Sequence, residues 1–101
     1  MRKVVLFCSA GMSTSALVRR MEDAAKEIGY EVSVEAHSVS DAARLGKDAD
    51  VVLLGPQVRF NLDVVKKQLP DTPVDVIGMR EYGTMNGAAV IAQVKALLGD
   101  E

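Results

Sequence analysis

Two short apolar segments constrain the fold of this chain more than any other feature. The runs Val4–Cys8 and Val51–Leu54 contain no polar side chain apart from the cysteine thiol. A strand that is apolar on both faces is typical of a parallel sheet covered by helices on both sides. We therefore predict strands over residues 3–8 and 50–54, both in the middle of a parallel sheet.

Two further strands are predicted at the edges of that sheet. Residues 31–36 alternate polar and apolar, which indicates an edge strand with one solvent-exposed face. Residues 73–77 begin with a proline, which an edge strand tolerates because one N–H is dispensable there. With the strands numbered in chain order, the predicted order across the sheet is therefore 2-1-3-4.

Helix signals separate these strands. The first helix has Ser13 or Thr14 as its cap, runs to about Glu27 and stops at Gly29. The second helix is predicted to begin at Ser38 or Ser40 and to end at Gly46. The third has an apolar stripe and ends at Pro70; the stripe consists of Val58, Leu62, Val65 and Leu69. The fourth covers Ala88–Leu98.

The predicted architecture is an α/β domain with an open four-stranded parallel sheet and helices on both faces. This is the three-layer sandwich of flavodoxin-like and phosphatase-like folds, with right-handed crossovers between its strands. A length of 101 residues suits one domain over residues 1–101. The chain order reverses between strands 1 and 3, so a ligand is expected beside Cys8, at the end of strand 1.

Cys8, the only cysteine, leads into a loop rich in hydroxyl groups and then into a helix. Backbone N–H groups and a helix N-terminus that converge on a thiol form an anion site, and their positive potential favours the nucleophilic thiolate. The first hypothesis is that Cys8 carries a phosphoryl group; a buried apolar filler is the alternative. The loop that would bind the phosphoryl oxygens consists of Ser9, Ala10, Gly11, Met12, Ser13, Thr14 and Ser15.

Two other phosphate-binding loops fit the sequence less well. A nucleotide P-loop needs a lysine directly after its glycines, whereas the first basic residue here is Arg19. A cysteine phosphatase of the Cys-(five residues)-Arg type needs a guanidinium where this chain has Thr14, and a general acid that Gly55-Pro56-Gln57 does not supply. A carrier is therefore favoured, while a low-molecular-weight-type cysteine phosphatase and a non-catalytic anion- or nucleotide-binding module remain alternatives.

Two segments are expected to follow strands 3 and 4 at the same edge of the sheet as Cys8. Residues 55–59 can place Gln57 or Arg59 near the phosphoryl group, although an ordinary turn explains them too. Residues 78–87 contain three glycines and two methionines, which predicts a mobile rim suited to protein contacts.

Composition excludes several other functions. A net charge of −2 with no basic run longer than a pair argues against nucleic-acid binding. The apolar runs are too short to cross a bilayer, and a single cysteine without a signal peptide predicts a cytoplasmic protein. His37, the only histidine, is predicted to be a solvated residue at a strand end, so neither a metal nor a cofactor is expected.

The segments Leu6–Ser15 and Val52–Val58 closely resemble the enzyme IIB subunit of the phosphoenolpyruvate-dependent sugar phosphotransferase system. The similarity is to the lactose/cellobiose/chitobiose family, in particular its cellobiose and chitobiose type, and it extends over essentially the whole chain. The resemblance implies a single IIB domain in which Cys8 accepts a phosphoryl group from a histidine of a IIA protein. The group then passes to a disaccharide in the membrane-embedded IIC permease.

The resemblance also extends to residues around the cysteine. Residues 9–15 resemble the family's phosphate-binding loop, and Gly55, Pro56 and Gln57 match its glycine-proline-glutamine segment. Tyr82 and Gly83 match its tyrosine-glycine pair. The expected protein is a monomer that associates with the permease without entering the membrane.

Overall fold

The structure is a computed structural model that describes residues 1–9 and 15–100. These residues form the strands β1 (Arg2–Cys8), β2 (Val32–Ser38), β3 (Val51–Leu54) and β4 (Val74–Val76). The helices are α1 (Ser15–Glu27), α2 (Ala42–Leu45), α3 (Leu62–Gln68), α4 (Met79–Gly83) and α5 (Gly87–Leu98). Short 3₁₀ segments, Val39–Asp41 and Pro56–Asn61, precede α2 and α3.

All strand pairs are parallel, and the order across the sheet is β2-β1-β3-β4. This confirms the predicted order, with the two apolar strands in the centre and the other two at the edges. In the register of β1, Cys8 lies opposite Ser38 of β2, and Phe7 lies opposite Leu54 of β3. The carboxyl ends of β1, β2 and β3 therefore meet at one edge of the sheet.

Alternate residues of the central strands enter two separate cores. Val4 and Leu6 pack with buried residues of α1 and α5, whereas Val5 and Phe7 pack on the opposite face with residues of α2 and α3. Both central strands are buried on both sides, as a parallel sheet between two layers of helices requires. The predicted three-layer architecture is confirmed.

The end of α1 also follows the sequence prediction. The helix ends at Glu27, and Gly29 has a φ of 68°. Glycine adopts this left-handed conformation without steric cost, and the N–H of Tyr30 can then bond to the carbonyl of Ala25 at 2.9 Å. The predicted caps of this helix, Ser13 and Thr14, lie outside the described residues.

One prediction about the later segments is wrong in part. The apolar stripe from Val58 to Leu69 predicted one helix, but Val58 has a non-helical φ of −118° and ψ of 23° within the 3₁₀ segment Pro56–Asn61, and α3 begins only at Leu62. Residues 78–87, for which a mobile rim is predicted, contain α4, which the sequence did not predict; a bond from Thr84 Oγ1 to the Arg80 carbonyl at 2.9 Å closes its last turn, and the mobility of the segment stays a prediction. A single helical turn has no repeating apolar stripe that would mark it in the sequence.

Candidate active site at the carboxyl end of β1

Cys8 is the last residue of β1 and is buried, with 1% of its surface exposed. The chain of β3 continues beside it, because the Gly55 N–H donates to the Phe7 carbonyl at 2.9 Å. The only cysteine therefore lies where the topology reverses, between the two central strands, as the sequence predicted. In open α/β sheets this is the position at which ligands bind.

Three side chains converge on Gly55. A Cβ atom placed on this glycine would lie 2.9 Å from Oε1 of Gln57, 3.3 Å from Cβ of Cys8 and 3.6 Å from Cε2 of Tyr82. Gly55 itself has φ −63° and ψ 152°, an ordinary extended conformation. The absence of a side chain at Gly55 therefore leaves space around which Cys8, Gln57 and Tyr82 lie, and a Cβ there would mainly displace the flexible end of Gln57.

A groove of about 420 Å³ continues from this cluster. Its described lining residues are Pro56, Gln57, Arg59, Met79, Tyr82 and Gly83. Nη1 of Arg59 donates to the Pro56 carbonyl at 2.9 Å, so the guanidinium is held against the turn that follows β3. Residues 55–59 and the α4 segment thus lie side by side at the sheet edge that carries Cys8.

Phe60 is an exposed aromatic residue of the 3₁₀ segment Pro56–Asn61 that the sequence analysis missed. Its side chain is 79% exposed, and Met79 is 66% exposed. Phe60 is offset from the stripe formed by Val58 and Leu62, both of which contribute to a core. That offset is the signal that could have identified it as a surface aromatic residue.

The predicted phosphate-binding loop is described only at its ends. Ser9 is exposed, and Ser15, also exposed, is the first residue of α1. The predictions for Ala10, Gly11, Met12, Ser13 and Thr14 lie outside the described residues. The role of residues 9–15 in binding phosphate stays a prediction.

His37 lies near the carboxyl end of its strand, as the sequence analysis expected, and it is partly exposed. It lies within β2, its side chain is 33% exposed, and its Nε2 is 3.0 Å from Oε1 of Glu35. Its ring centroid is 6.4 Å from that of Phe7. The hydrogen bond with His37 lowers the pKa of Glu35, and the nearby Lys3 lowers it further. Over residues 1–9 and 15–100, no cluster of three or more His, Cys, Asp or Glu side chains is arranged to hold a metal ion.

The fold and the cysteine at the switch point define a class of single-cysteine α/β domains. Comparison with known families shows to which family within this class the chain belongs. The family model "PTS system, Lactose/Cellobiose specific IIB subunit" matches residues 3–93. The chain belongs to this family, which confirms the resemblance found in the sequence. IIB components of this system work together with IIA and IIC partners.

Individual relatives agree with the family assignment. The chain is 41% identical over 102 residues to the galactose-specific EIIB component of Lactococcus lactis subsp. cremoris (strain MG1363), with 94% of each chain covered. It is 40% identical over 102 residues to the cellobiose-specific EIIB component of Lactococcus lactis subsp. lactis (strain IL1403), again with 94% of each covered.

A solved structure supports the same assignment. The solution structure of the cellobiose-specific phosphotransferase IIB component from Borrelia burgdorferi matches with a TM-score of 0.79 and 36% identity. The match covers 98% of this chain and 93% of that one. Within residues 1–9 and 15–100, the structure contains no helix long and apolar enough to span a membrane.

Proposed function

We propose that this chain is a phosphocysteine carrier in sugar uptake. Cys8 accepts a phosphoryl group from a phosphohistidine of the IIA protein and passes it to a disaccharide, such as cellobiose or chitobiose, at the IIC permease. The observation that carries the proposal is the position of Cys8 at the end of a central strand. There it lies beside Gly55, which the Gln57 and Tyr82 side chains also approach.

The first transfer is an in-line displacement at phosphorus. The sulfur of Cys8, reacting as a thiolate, forms an S–P bond while the N–P bond of the phosphohistidine breaks. The imidazole keeps the electron pair of the broken bond, and overall it gains the proton that the thiol gives up. No metal is required, because loop N–H and hydroxyl groups would spread the charge of the phosphoryl oxygens.

The second transfer reverses the roles. A sugar hydroxyl forms an O–P bond, the S–P bond breaks, and the sulfur regains a proton overall. A relay of this kind works only if the phosphocysteine is neither very stable nor rapidly hydrolysed. The sugar is selected at the permease in this proposal, which agrees with relatives named for both galactose and cellobiose.

The chemistry around Cys8 favours a carrier over a phosphatase. A phosphatase needs a guanidinium bound to the phosphoryl oxygens and a carboxylic acid that protonates the leaving group. The sequence has Thr14 at the arginine position, and the described residues that line the groove beside Cys8 include no Asp or Glu. We propose that the protein acts as a single domain over residues 1–101 and as a monomer, meeting the permease at the cytoplasmic face of the membrane.

The test is intact-mass analysis after phosphoenolpyruvate, the general phosphotransferase proteins and a cellobiose-type IIA protein are mixed with the chain. One phosphoryl adduct that maps to Cys8 and requires IIA is expected. The nearly isosteric Cys8→Ser variant should fold and remain unmodified. An adduct retained in that variant, or hydrolysis of an aryl phosphate by a wild type that forms no adduct, would overturn the proposal.

A further inference from the structure

The side chain of Gln57 folds back over its own turn toward the cysteine. Its Oε1 lies 2.9 Å from the position that a Gly55 Cβ would occupy, and Cβ of Cys8 lies 3.3 Å from the same position. Gln57 is otherwise exposed and follows the buried Pro56. A polar end group thus lies near the cysteine, on the side of β3.

The carboxamide of Gln57 has unused hydrogen-bonding capacity. Within the part of the chain that the structure describes, no hydrogen bond involves its side chain, whereas neighbouring Arg59 is fixed by the Pro56 carbonyl. A carboxamide carries two donor hydrogens, and rotation about its terminal torsion exchanges the positions of oxygen and nitrogen. A phosphoryl group on Cys8 would bring acceptor oxygens next to this donor.

We propose that Gln57 is a catalytic residue that donates a hydrogen bond from Nε2 to an oxygen of the phosphoryl group on Cys8. This inference rests on the proposed phosphocysteine function and adds a residue that acts directly on the transferred group. Gly55 makes the contact possible, because any side chain at that position would occupy the space between Gln57 and Cys8.

A neutral donor suits a reversible relay better than a charged one. Hydrogen bonds from charged donors are roughly twice as strong as those between neutral groups. A guanidinium at this position would hold the phosphorylated state more tightly and slow its onward transfer. The Gln57 carboxamide orients the phosphoryl group in both transfers without adding a full positive charge.

The experiment compares Gln57→Ala and Gln57→Glu with Gln68→Glu. Gln68 is an exposed residue at the last position of α3, so its variant makes the same charge change away from the end of the sheet that carries Cys8. Phosphorylation by IIA is followed over a range of IIA concentrations, which separates kcat from KM. The ³¹P chemical shift of the phosphocysteine is recorded for each variant, and thermal melts establish that the fold is intact.

For Gln57→Ala we expect kcat to fall about tenfold, with KM for IIA nearly unchanged, and the ³¹P resonance to shift. Gln57→Glu should lower kcat further, because a carboxylate repels the phosphoryl oxygens. The kcat of Gln68→Glu should match that of wild type. Wild-type kcat and an unshifted ³¹P resonance in Gln57→Ala would overturn the inference while leaving the carrier function intact. Absence of any phosphocysteine in wild type would instead refute the proposed function.

Discussion

Arg2 and Asp100 join the two ends of the chain through a pair of hydrogen bonds. Nε of Arg2 donates to Oδ2 of Asp100 and Nη2 donates to Oδ1, both at 2.8 Å. The Tyr30 hydroxyl donates to the same carboxylate at 2.5 Å. Since Arg2 begins β1 and Cys8 ends it, this cluster lies at the opposite edge of the sheet from the candidate active site. Stability and phosphoryl transfer can therefore be altered separately.

The first prediction concerns the pH dependence of this cluster. The hydrogen bond from Arg2, followed by that from Tyr30, lowers the pKa of Asp100 from 3.8 to about 2. Because folding lowers this pKa, the stabilisation is fully present above pH 3.8 and is lost as the pH falls through about 2. Asp100→Asn should therefore melt at a lower temperature than wild type at pH 7, and the difference should shrink toward pH 2.

A matched control comes from Asp41, which pairs with Arg44 at 3.2 Å where the two side chains are 40% and 71% exposed. Exposed pairs of this kind contribute little, so Asp41→Asn should change the melting temperature much less. A difference between wild type and Asp100→Asn that stays constant from pH 7 to pH 2 would contradict the assigned role of the carboxylate.

The second prediction concerns the contact between α1 and α5. A Cβ on Gly87 would lie 2.3 Å from the backbone carbon and oxygen of Arg20 and 2.6 Å from the Met21 nitrogen. Backbone atoms cannot move aside as a flexible side chain can, so Gly87→Ala should destabilise the fold by about 1–3 kcal/mol, the usual range for overpacking. Urea denaturation measures the free energy of unfolding.

Gly83 provides the control for that substitution. It is the last residue of α4, and a Cβ there would meet no heavy atom within 4 Å. Gly83→Ala should therefore leave stability unchanged or raise it by up to about 1 kcal/mol, because alanine loses less backbone entropy on folding. Equal free energies of unfolding for the two variants would show that α1 and α5 pack less closely than the structure indicates.

The third prediction couples Gly55 to Gln57. Gly55→Ala should fold, since its new methyl group meets mainly the flexible end of Gln57, but it should displace that carboxamide and lower kcat for phosphorylation. If both changes act through the same contact, the double variant Gly55→Ala/Gln57→Ala should be no slower than the slower single variant. Rates that multiply in the double variant would show that Gly55 acts independently of Gln57.

Much of the fold was predictable because it depends on regular patterns of burial. Val4–Cys8 and Val51–Leu54 are apolar on both faces, and this alone places them in the centre of a parallel sheet. The order of the strands then places Cys8 at the topological switch point. Local chemistry also predicted the end of α1, since Gly29 takes the left-handed conformation that ends many helices.

The features that escaped prediction depend on packing between distant segments. Helix α4 is a single turn that the sequence did not predict, although the family resemblance placed its Tyr82 near the site, and Tyr82 approaches Gly55 because β4 ends beside β3. The way in which Gln57 folds over Gly55 is a choice of side-chain rotamer that no sequence pattern encodes. Arg2 and Asp100 are 98 positions apart, so only the assembled fold brings their charges together.

The fourth prediction tests why the phosphocysteine would survive long enough to be passed on. Thr14 is the sixth residue after Cys8, the position at which cysteine phosphatases carry their arginine. Thr14 lies outside the described residues, so this prediction rests on its place in the sequence. A guanidinium there would bind two phosphoryl oxygens and stabilise the transition state for attack by water. Thr14→Arg should therefore shorten the half-life of the phosphocysteine by roughly tenfold.

The measurement is the decay of the phosphoryl adduct by intact mass after IIA has been removed. Thr14→Lys serves as the control, because lysine adds the same charge without the planar pair of donors, and it should shorten the half-life less. If both variants decay at the wild-type rate, the missing guanidinium does not account for the lifetime of the phosphocysteine. Equal acceleration in both variants would instead show that positive charge alone, rather than bidentate binding, promotes hydrolysis.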